Sequence, residues 1–386
     1  MKIVYFYPSM HSAGGIERVL KIKLNYLADV LKYDIVLVNY RQRKRENFFA
    51  LSQNIKQIDL ELEDPIFIDK KTLSASELKK INQNFNRNLK EKIEKILFEE
   101  KANFSVSAAS GKEFDFLYKI KDSSIKIAEF HFTYLVSNLY ILKKNSTLLS
   151  IQGWKNYYYY KKELKKYKGY KNFIVLTEKD KNFWEKDINN VIAINNPITI
   201  FTEKKSKLDT KKIIALGRLT PQKGFDYLLK IWHKIHYKYP DWKLEIYGDG
   251  HLKEELEIQI KNLELKNCEI LSPSRSVEDI YLNSSIFVLP SRFEGLPLVL
   301  MESMAFGLPS VAFDCNCGPS DLIKNEKSGF LIPPKNINLF AEKLEILMSN
   351  ATLLESMGNA ANQRSKDYLI DNIMKKWNNY FKQNMK

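Results

Sequence analysis

Short apolar runs rich in β-branched and aromatic residues alternate with longer helical patterns along most of the chain. Because strands that alternate with helices are joined by crossovers, this order predicts an α/β fold of parallel sheets with helices on both faces. The first series of predicted strands comprises residues 2–7, 34–39, 54–59, 103–108, 125–130, 147–151, 172–177 and 190–194. The second comprises residues 212–217, 243–248, 268–271, 286–290, 309–313 and 329–332. The helical patterns include residues 15–31, 77–100, 224–238, 250–263 and 297–306.

A polar stretch near residues 195–211 divides this series in two, since Asn195-Asn196-Pro197 ends one predicted strand and Lys212 opens the next. Two Rossmann-like domains of similar size fit this pattern. Ligands of such sheets bind beyond the carboxyl ends of the strands, so two of them facing each other would enclose one interdomain cleft. The predicted domains are residues 1–197, with a C-terminal helix at 362–386 packed back on them, and residues 211–361.

The charge is strongly positive and unevenly distributed. The formal net charge is +15. Residues 1–200 contain 35 basic and 23 acidic side chains, a net charge of +12, against 26 and 23 in the remainder. Such an excess indicates an anionic partner: phosphates, nucleic acid or an anionic membrane surface. No window of about 18 uncharged apolar residues occurs, so no membrane span is predicted.

Three cysteines are too few for a disulfide framework, which predicts a reducing compartment such as the cytoplasm. Cys315-x-Cys317 is at most half of a metal site. No second cysteine or histidine pair stands at ligand spacing, so a metal site is disfavoured.

The segment Ser291–Glu302 is the most informative in the chain. A predicted strand feeds a short loop, and a helix is predicted to start at Pro297, because proline is favoured at the first helical position. The amides of Gly295, Leu298 and Val299 would then be free, and the helix dipole would favour an anion beside them.

Two glutamates in this segment are candidates for ligand binding. Glu302 lies far enough into the helix to reach the same ligand, and a carboxylate that accepts two hydroxyl hydrogen bonds suits a ribose diol. Glu294 would lie near whatever is attached to the phosphates. The alternative is a surface loop glutamate and a helix glutamate paired with lysine.

The turn Gly217–Gly224 follows the first strand of the second predicted domain and carries Arg218 and Lys223. Arginine offers a fork of donors and lysine a point charge, a combination suited to a diphosphate. Two solvated cations are the alternative. Gly14 and Gly15 follow the first strand of the chain, where a backbone without side chains can approach a ligand. No Gly-Lys-Ser/Thr follows, so this is not a Walker loop.

His131 ends a predicted strand, where a ligand-facing residue would lie, although a lone histidine is more often structural. The run Tyr157–Tyr160 is followed by six lysines. Basic residues mixed with amphipathic aromatics suit a membrane interface, and a solvated helix face is the alternative.

The chain resembles the retaining glycosyltransferases of family 4, which have the two-domain GT-B fold. The likeness is strongest from about Ile213 to Phe340 and covers nearly the whole chain more weakly. Its motifs are Gly217–Asp226, Tyr247–Gly250, Pro290–Pro297 with Glu302, and Gly-Leu-Pro at 307–309. The two glutamates eight residues apart, with Gly-Leu-Pro after the first, form a specific signature.

The resemblance implies roles for individual residues. The implied catalytic residues are Glu294, His131, Arg218 and Lys223. The implied donor-binding residues are Gly14, Gly15, Arg218, Lys223, Glu294, Gly295, Leu296, Glu302 and Arg275, the last beside the nucleotide base. Arg218 and Lys223 would neutralise the donor diphosphate in place of a divalent ion, so neither a metal nor a cofactor is expected.

The implied activity is transfer of a hexose or N-acetylhexosamine from a nucleotide sugar with retention at the anomeric carbon. The loop Asp314–Pro319 resembles that of bacterial enzymes that use UDP-sugars. The implied acceptor is a saccharide or a polyprenyl-diphosphate-linked saccharide of cell-surface polysaccharide or glycolipid biosynthesis. The basic first half fits an anionic membrane approached from the cytoplasm.

Other functions remain open at this point. A nucleotide-sugar 2-epimerase shares the architecture, although the pair Glu294 and Glu302 argues against it. A basic nucleic-acid-binding protein would fit the charge, but no helix-turn-helix, zinc or ribonucleoprotein signature is present, so no nucleic-acid partner is expected. An inactive family member that acts as a partner subunit is disfavoured because Arg218, Lys223, Glu294 and Glu302 are retained.

Overall fold

The structure is a computed structural model that describes residues 1–65, 73–108, 111–146, 150–200, 202–274 and 276–385. The chain divides into two compact units, Met1–Ile194 with Ile373–Lys386, and Asn195–Asn372. The sequence predicted that the first domain ends at residue 197 and that the returning C-terminal helix starts at residue 362. In the structure the first unit ends at Ile194, and the returning segment starts at Ile373.

The first unit is built on a parallel sheet. Its central strand β1 is apolar from its second residue onward and buried, as expected for a strand covered on both faces. The strands are β1 (Lys2–Tyr7), β2 (Asp34–Asn39), β3 (Ile55–Asp59), β4 (Phe104–Ser107), β5 (Ile125–Glu129), β6 (Asn172–Val175) and β7 (Val191–Ala193). Their order across the sheet is β3-β2-β1-β4-β5-β6-β7. The helices are α1 (Gly15–Asn25), α2 (Ala75–Glu100), α3 (Asn138–Lys144), α4 (Ile151–Gly169) and α5 (Glu178–Trp184).

The second unit repeats the design with the strand order β10-β9-β8-β11-β12-β13, again parallel. Its strands are β8 (Lys212–Leu216), β9 (Lys243–Tyr247), β10 (Cys268–Leu271), β11 (Ile286–Leu289), β12 (Ser310–Phe313) and β13 (Gly329–Ile332). The helices are α6 (Phe225–Ile235), α7 (Lys253–Asn262), α8 (Val277–Leu282), α9 (Leu298–Ala305), α10 (Pro319–Leu322), α11 (Ile337–Ser349) and α12 (Ala351–Ser365). The predicted α/β fold with two parallel sheets is confirmed.

One predicted strand does not form as expected. Of residues 147–151, the first three lie outside the described part of the chain. Ser150 caps helix α4 by accepting a hydrogen bond from the amide of Gly153, and Ile151 is the first helical residue. The apolar run was too short to distinguish a strand from the start of an amphipathic helix.

The last helix, α13 (Ile370–Asn384), completes the core of the first unit. Phe381 is fully buried, and its ring centroid lies 5.0 Å from that of Phe104 in β4. The hydroxyl of Tyr380 donates to Asn172 at 2.9 Å. None of the helices in the described part of the chain is long and apolar enough to cross a membrane.

Candidate functional site

Two loops at the carboxyl ends of neighbouring strands meet in the second unit. Strands β8 and β11 are adjacent in the sheet, so the loops that follow them lie side by side. The amide of Arg292 donates to the carbonyl of Gln222 at 2.8 Å, and the side chain of Gln222 donates to the carbonyl of Phe293 at 3.1 Å. The segments Arg218–Lys223 and Ser291–Glu294 are therefore held as one surface.

A bidentate ion pair strengthens the connection between the two loops. The guanidinium of Arg292 donates to both carboxylate oxygens of Asp226, at 2.8 and 2.7 Å. It also lies over the ring of Tyr227, 4.2 Å from the centroid. The hydrogen bonds to Asp226 raise the pKa of Arg292 above its ordinary value. Sequence reasoning assigned no role to Arg292 or Asp226, although both fall inside the quoted motifs.

Lys223 and Glu294 form the charged centre of this surface. The ammonium of Lys223 donates to Oε1 of Glu294 at 2.7 Å, and Ser291 donates to the same oxygen at 2.7 Å. Glu294 is 6% exposed. The structure thus brings together two of the predicted residues. It also shows why Ser291, three residues before the glutamate, belongs with them.

Arg218 contrasts with Lys223. Its side chain is exposed, and among the described residues its guanidinium has no hydrogen-bond or ion-pair partner. An unpaired cation at the carboxyl edge of a parallel sheet is available to an anionic ligand. The two predicted cations therefore differ: one is held by a carboxylate, and the other is free to bind.

Gly224 allows the turn to close. Its φ is +67°, and a Cβ there would lie 2.1 Å from the carbonyl oxygen of Pro290. Both the left-handed backbone and the close approach require glycine. This residue sets the distance between the two loops that carry Lys223 and Glu294.

Glu302 is more enclosed than predicted. It lies in helix α9 and is 1% exposed. Tyr281 donates to its Oε2 at 3.0 Å, and Thr199 donates to its Oε1. Its ribose-binding role stays a prediction. The prediction that the helix starts at Pro297 is wrong by one residue, because Pro297 has an extended backbone and Leu298 is the first helical residue.

The other residues of this unit that were predicted to bind the sugar donor differ in burial. Leu296 is buried, and Gly295 is half-buried. Gly318 packs so closely on them that a Cβ there would lie 2.6 Å from the carbonyl oxygen of Gly295. Arg275 lies outside the described residues. Burial, with a smaller contribution from Glu294, raises the pKa of the Cys315 thiol to about 12, so Cys315 is not a thiolate near neutral pH.

In the first unit, Gly14 and Gly15 form the start of helix α1 after strand β1. The space beside Gly14 is occupied by a carboxylate, since a Cβ there would lie 2.1 Å from Oε2 of Glu17. Ser12 donates to Oε1 of Glu17 at 2.5 Å. The missing side chain of Gly14 thus makes room for Glu17, a partner that sequence reasoning overlooked. Its charge would repel a diphosphate.

His131 follows strand β5 and is 8% exposed. Its Nε2 lies 3.4 Å from Oε2 of Glu129. Glu129 in turn accepts a hydrogen bond from the buried ammonium of Lys23. The lysine is more than one hundred residues away in sequence, and no motif pointed to it. Within the described ranges, no group of three or more histidine, cysteine, aspartate and glutamate side chains could hold a metal ion.

Comparison with known proteins gives these sites a context. Residues 198–364 match the model of a family described as glycosyl transferases group 1. The chain is 41% identical over 208 residues to an uncharacterized glycosyltransferase from Haemophilus influenzae, with 53% of this chain and 59% of the relative covered. It is 38% identical over 216 residues to the amylovoran biosynthesis glycosyltransferase AmsD from Erwinia amylovora, with 53% and 60% covered. The matches therefore span about three fifths of these relatives.

Solved structures resemble the whole chain. The crystal structure of the pneumococcal O-GlcNAc transferase GtfA in complex with UDP and GlcNAc matches with a TM-score of 0.73. The match covers 99% of each chain at 14% sequence identity. Identity at that level shows the fold alone, and the fold is GT-B.

Proposed function

Because residues 198–364 match the model of the group 1 glycosyltransferases and the chain has the GT-B fold, we propose that this protein is a retaining, family 4 glycosyltransferase. It transfers a hexose or N-acetylhexosamine from a UDP-sugar to a saccharide or lipid-linked saccharide of bacterial polysaccharide or glycolipid biosynthesis. The observation that carries the proposal is the loop pair of the second unit. There Arg218 has no ion-pair partner among the residues that the structure describes, and Lys223 lies 2.7 Å from Glu294.

The chemistry of donor cleavage explains this arrangement. When the bond from the sugar to the diphosphate breaks, negative charge grows on the departing phosphate oxygens. Arg218 lies exposed to receive that charge, and Lys223 can turn from Glu294 toward it. Preorganised charges of this kind supply much of the rate enhancement in many enzymes. They would act without a metal ion, and Glu294 would then hold the sugar hydroxyls near the reacting carbon.

The named relatives support the donor and the pathway. AmsD is named for the biosynthesis of amylovoran, and the pneumococcal transferase binds UDP and GlcNAc. We extend both properties to this chain as proposals. The loop Asp314–Pro319, whose resemblance to UDP-sugar enzymes suggests this donor, lies close enough to the charged centre for Glu294 to raise the pKa of Cys315.

The first unit has a cavity suited to a saccharide acceptor. Two adjoining pockets have volumes of about 420 and 610 Å³, and the larger is lined by residues that include Phe132, Arg41, Lys166 and Glu163. The ring of Phe132 is 46% exposed. Aromatic faces with a few polar groups are typical of ligand pockets. We place the acceptor there.

Helix α4 supports a membrane partner. Its buried face carries Tyr160, Leu164 and Tyr167. On the opposite face Ile151 is 79% exposed, Trp154 58% and Tyr158 65%. Lysines at 155, 161, 162, 165 and 168 surround them. An outward apolar stripe among lysines fits an anionic membrane surface, where each lysine contributes about 1 kcal/mol.

Donor binding is the first test. Thermal unfolding is followed with UDP, GDP and ADP, each with and without EDTA. A ligand at one hundred times its Kd stabilises the folded state by about 2.7 kcal/mol. We expect UDP alone to stabilise the protein, equally with EDTA. Stabilisation by GDP or ADP instead, or loss of the UDP effect with EDTA, would contradict the donor and the metal-independent site respectively.

Vesicle sedimentation tests the membrane partner. We expect binding to phosphatidylglycerol vesicles at low salt, little binding to phosphatidylcholine vesicles, and weaker binding after Trp154→Ser with Tyr158→Ser. The matched control is Tyr237→Ser, since Tyr237 is an equally exposed aromatic in the second unit. Equal binding by the double variant and the control would refute a role for helix α4.

A further inference from the structure

The second unit has a cavity that is surrounded by positive charge. Its volume is about 410 Å³, which is in the range of small-molecule sites. Among the described residues that line it, none is an aspartate or glutamate, and none belongs to the two donor loops, Arg218–Lys223 and Ser291–Glu294. Its lining includes three lysines, a histidine and two apolar side chains: Lys230, Lys234, Lys335, His233, Leu263 and Ile337.

The three lysines of this cavity are not balanced by carboxylates. Within the described part of the chain, none of them has a hydrogen-bond or ion-pair partner for its ammonium group. Two other lysines of the same region differ. Lys343 pairs with Glu342 at 3.2 Å, and Lys238 pairs with Glu345 at 3.1 Å. These carboxylates of helix α11 therefore balance other lysines, and the cavity keeps its positive charge.

This arrangement is unfavourable for the protein without a ligand. Lys230 and Lys234 are four residues apart on helix α6, so their side chains share one face of the helix, and like charges at this spacing destabilise a helix. Lys335 adds a third charge. Its φ of +68° is left-handed, a backbone conformation that bulky residues rarely adopt and that is concentrated at functional sites. An anion in the cavity would offset the repulsion among the three lysines.

The larger pocket of the first unit shows the opposite arrangement. There Lys166 pairs with Asp115 at 2.5 Å and with Glu163 at 2.8 Å. Arg41, which also lines that pocket, pairs with Asp64. Balanced charges of this kind suit a neutral ligand with many hydroxyl groups, such as a saccharide. The unbalanced charges of the second unit suit an anion.

His233 and two apolar side chains complete the cavity. Nδ1 of His233 lies 3.2 Å from the carbonyl oxygen of Leu263. Because a carbonyl oxygen only accepts, Nδ1 carries the hydrogen and donates it, and Nε2 is the ring nitrogen left for a ligand. Leu263 and Ile337 are half-buried, so they offer an apolar surface to the carbon skeleton of that ligand.

We propose that this cavity binds a small phosphorylated molecule, with its phosphate groups against the three lysines and its carbon skeleton against Leu263 and Ile337. A lysine ammonium is a compact charge with three donors, which suits phosphate oxygens. A phosphate group carries nearly two negative charges and three acceptor oxygens, so it balances several lysines where a carboxylate would balance one. The site lies outside the donor loops, so it stands whether or not the protein transfers a sugar.

Binding is tested with inorganic pyrophosphate on the full chain. The five histidines are labelled with ¹³C and ¹⁵N, and the His233 signal is assigned by its loss in His233→Asn. We expect pyrophosphate to shift the His233 signal until the site is saturated. Sodium chloride at the same ionic strength should leave the signal nearly unchanged, because it only screens the charges. An equal response to chloride, or no response to pyrophosphate, would overturn the proposal.

Variants locate the binding. Lys234→Gln combined with Lys335→Gln removes two of the three charges, so the Kd for pyrophosphate should rise about tenfold or more. Lys261→Gln is the matched control, because Lys261 is an exposed lysine on helix α7 of the same unit. Arg218→Ala alters a donor loop and should leave the response of His233 unchanged. Equal binding by the double variant and the control, or loss of the response in Arg218→Ala, would refute the site.

Vesicle sedimentation distinguishes a soluble phosphate compound from a lipid headgroup. With phosphatidylglycerol vesicles, the double lysine variant should sediment to the same extent as the wild type, because the proposed ligand is soluble. Weaker sedimentation of this variant than of Lys261→Gln would assign the cavity to lipid phosphates and overturn the proposal of a small ligand.

Discussion

The two units place their functional charges in opposite settings. In the second unit, Arg218 is exposed and Lys223 is half-buried in a loop that follows a strand. In the first unit, Lys23 and Glu129 are enclosed beneath Trp377. Water solvates an exposed cation until a ligand binds, whereas a buried charge needs an opposite charge beside it even when no ligand is present.

The origin of these residues differs in the same way. Lys223 and Glu294 come from two loops on adjacent strands, and each lies inside a compact motif. The cluster of the first unit needs helix α1, strand β5 and a helix from the far end of the chain. The geometry of the Lys223–Glu294 site therefore depends on the local backbone of two loops. The geometry of the cluster in the first unit depends on the packing of the whole core of that unit.

Phe381→Ala gives the largest expected effect and tests that dependence. Phe381 is fully buried, and removing a buried phenylalanine side chain costs about 3–5 kcal/mol. We expect hydrogen exchange to accelerate in the first unit while UDP binding by the second unit persists. Phe98→Ala is the control, because Phe98 is 52% exposed. Equal acceleration in both units would show that they unfold together, and the comparison would lose its basis.

The cations of the second unit should act on turnover rather than on stability. Each is expected to behave like one donor to a developing oxyanion, so Arg218→Ala and Lys223→Ala should each reduce kcat about 10²-fold or more. Steady-state kinetics with a UDP-sugar measure this. Lys261→Ala, at an exposed lysine on helix α7, should retain full activity. Near wild-type turnover in both single variants would remove the proposed role.

Much of the fold followed from the sequence, because periodicity and turn residues are local signals. Strands such as 34–39 and 268–271 have the predicted bounds. Helix α4 was left open between a membrane interface and a solvated helix face, because its outward face carries Trp154 and Tyr158 and so lacks the usual polar pattern. The apolar run that leads into this helix was consequently taken for a strand.

The candidate sites were predictable to different degrees. Lys223 and Glu294 could be chosen from motifs, and their contact at 2.7 Å follows from adjacent strands. The partners of Glu302 could not be predicted from the sequence, because Tyr281 and Thr199 lie in separate segments of the chain. Nothing in the sequence singled out Lys23, because the residues around it do not indicate that it pairs with the buried carboxylate of Glu129.

Gly224→Ala probes the local geometry of the second unit. The positive φ disfavours any Cβ, and the carbonyl of Pro290 blocks it, so we expect a loss of about 2–3 kcal/mol in the free energy of unfolding. Gly307→Ala is a matched control: its φ is +76°, but the nearest atom to a Cβ is 3.6 Å away. Chemical denaturation measures both. Equal losses of stability in the two variants would mean that the positive φ alone causes the loss. The close approach of Gly224 to Pro290 would then contribute nothing.

Glu302→Gln should give the smallest effect, on donor affinity. Losing a charge-assisted bond to a ribose hydroxyl corresponds to about 1.5–3 kcal/mol, at least a tenfold rise in the Kd for UDP. If Glu302 serves only Tyr281 and Thr199, the variant should lose stability and bind UDP as before. Tyr281→Phe separates the cases, because it removes one protein bond and keeps the carboxylate. Weaker UDP binding in Glu302→Gln alone would show that this buried carboxylate contacts the donor. Equal weakening in both variants would show that Glu302 acts through its hydrogen bond with Tyr281.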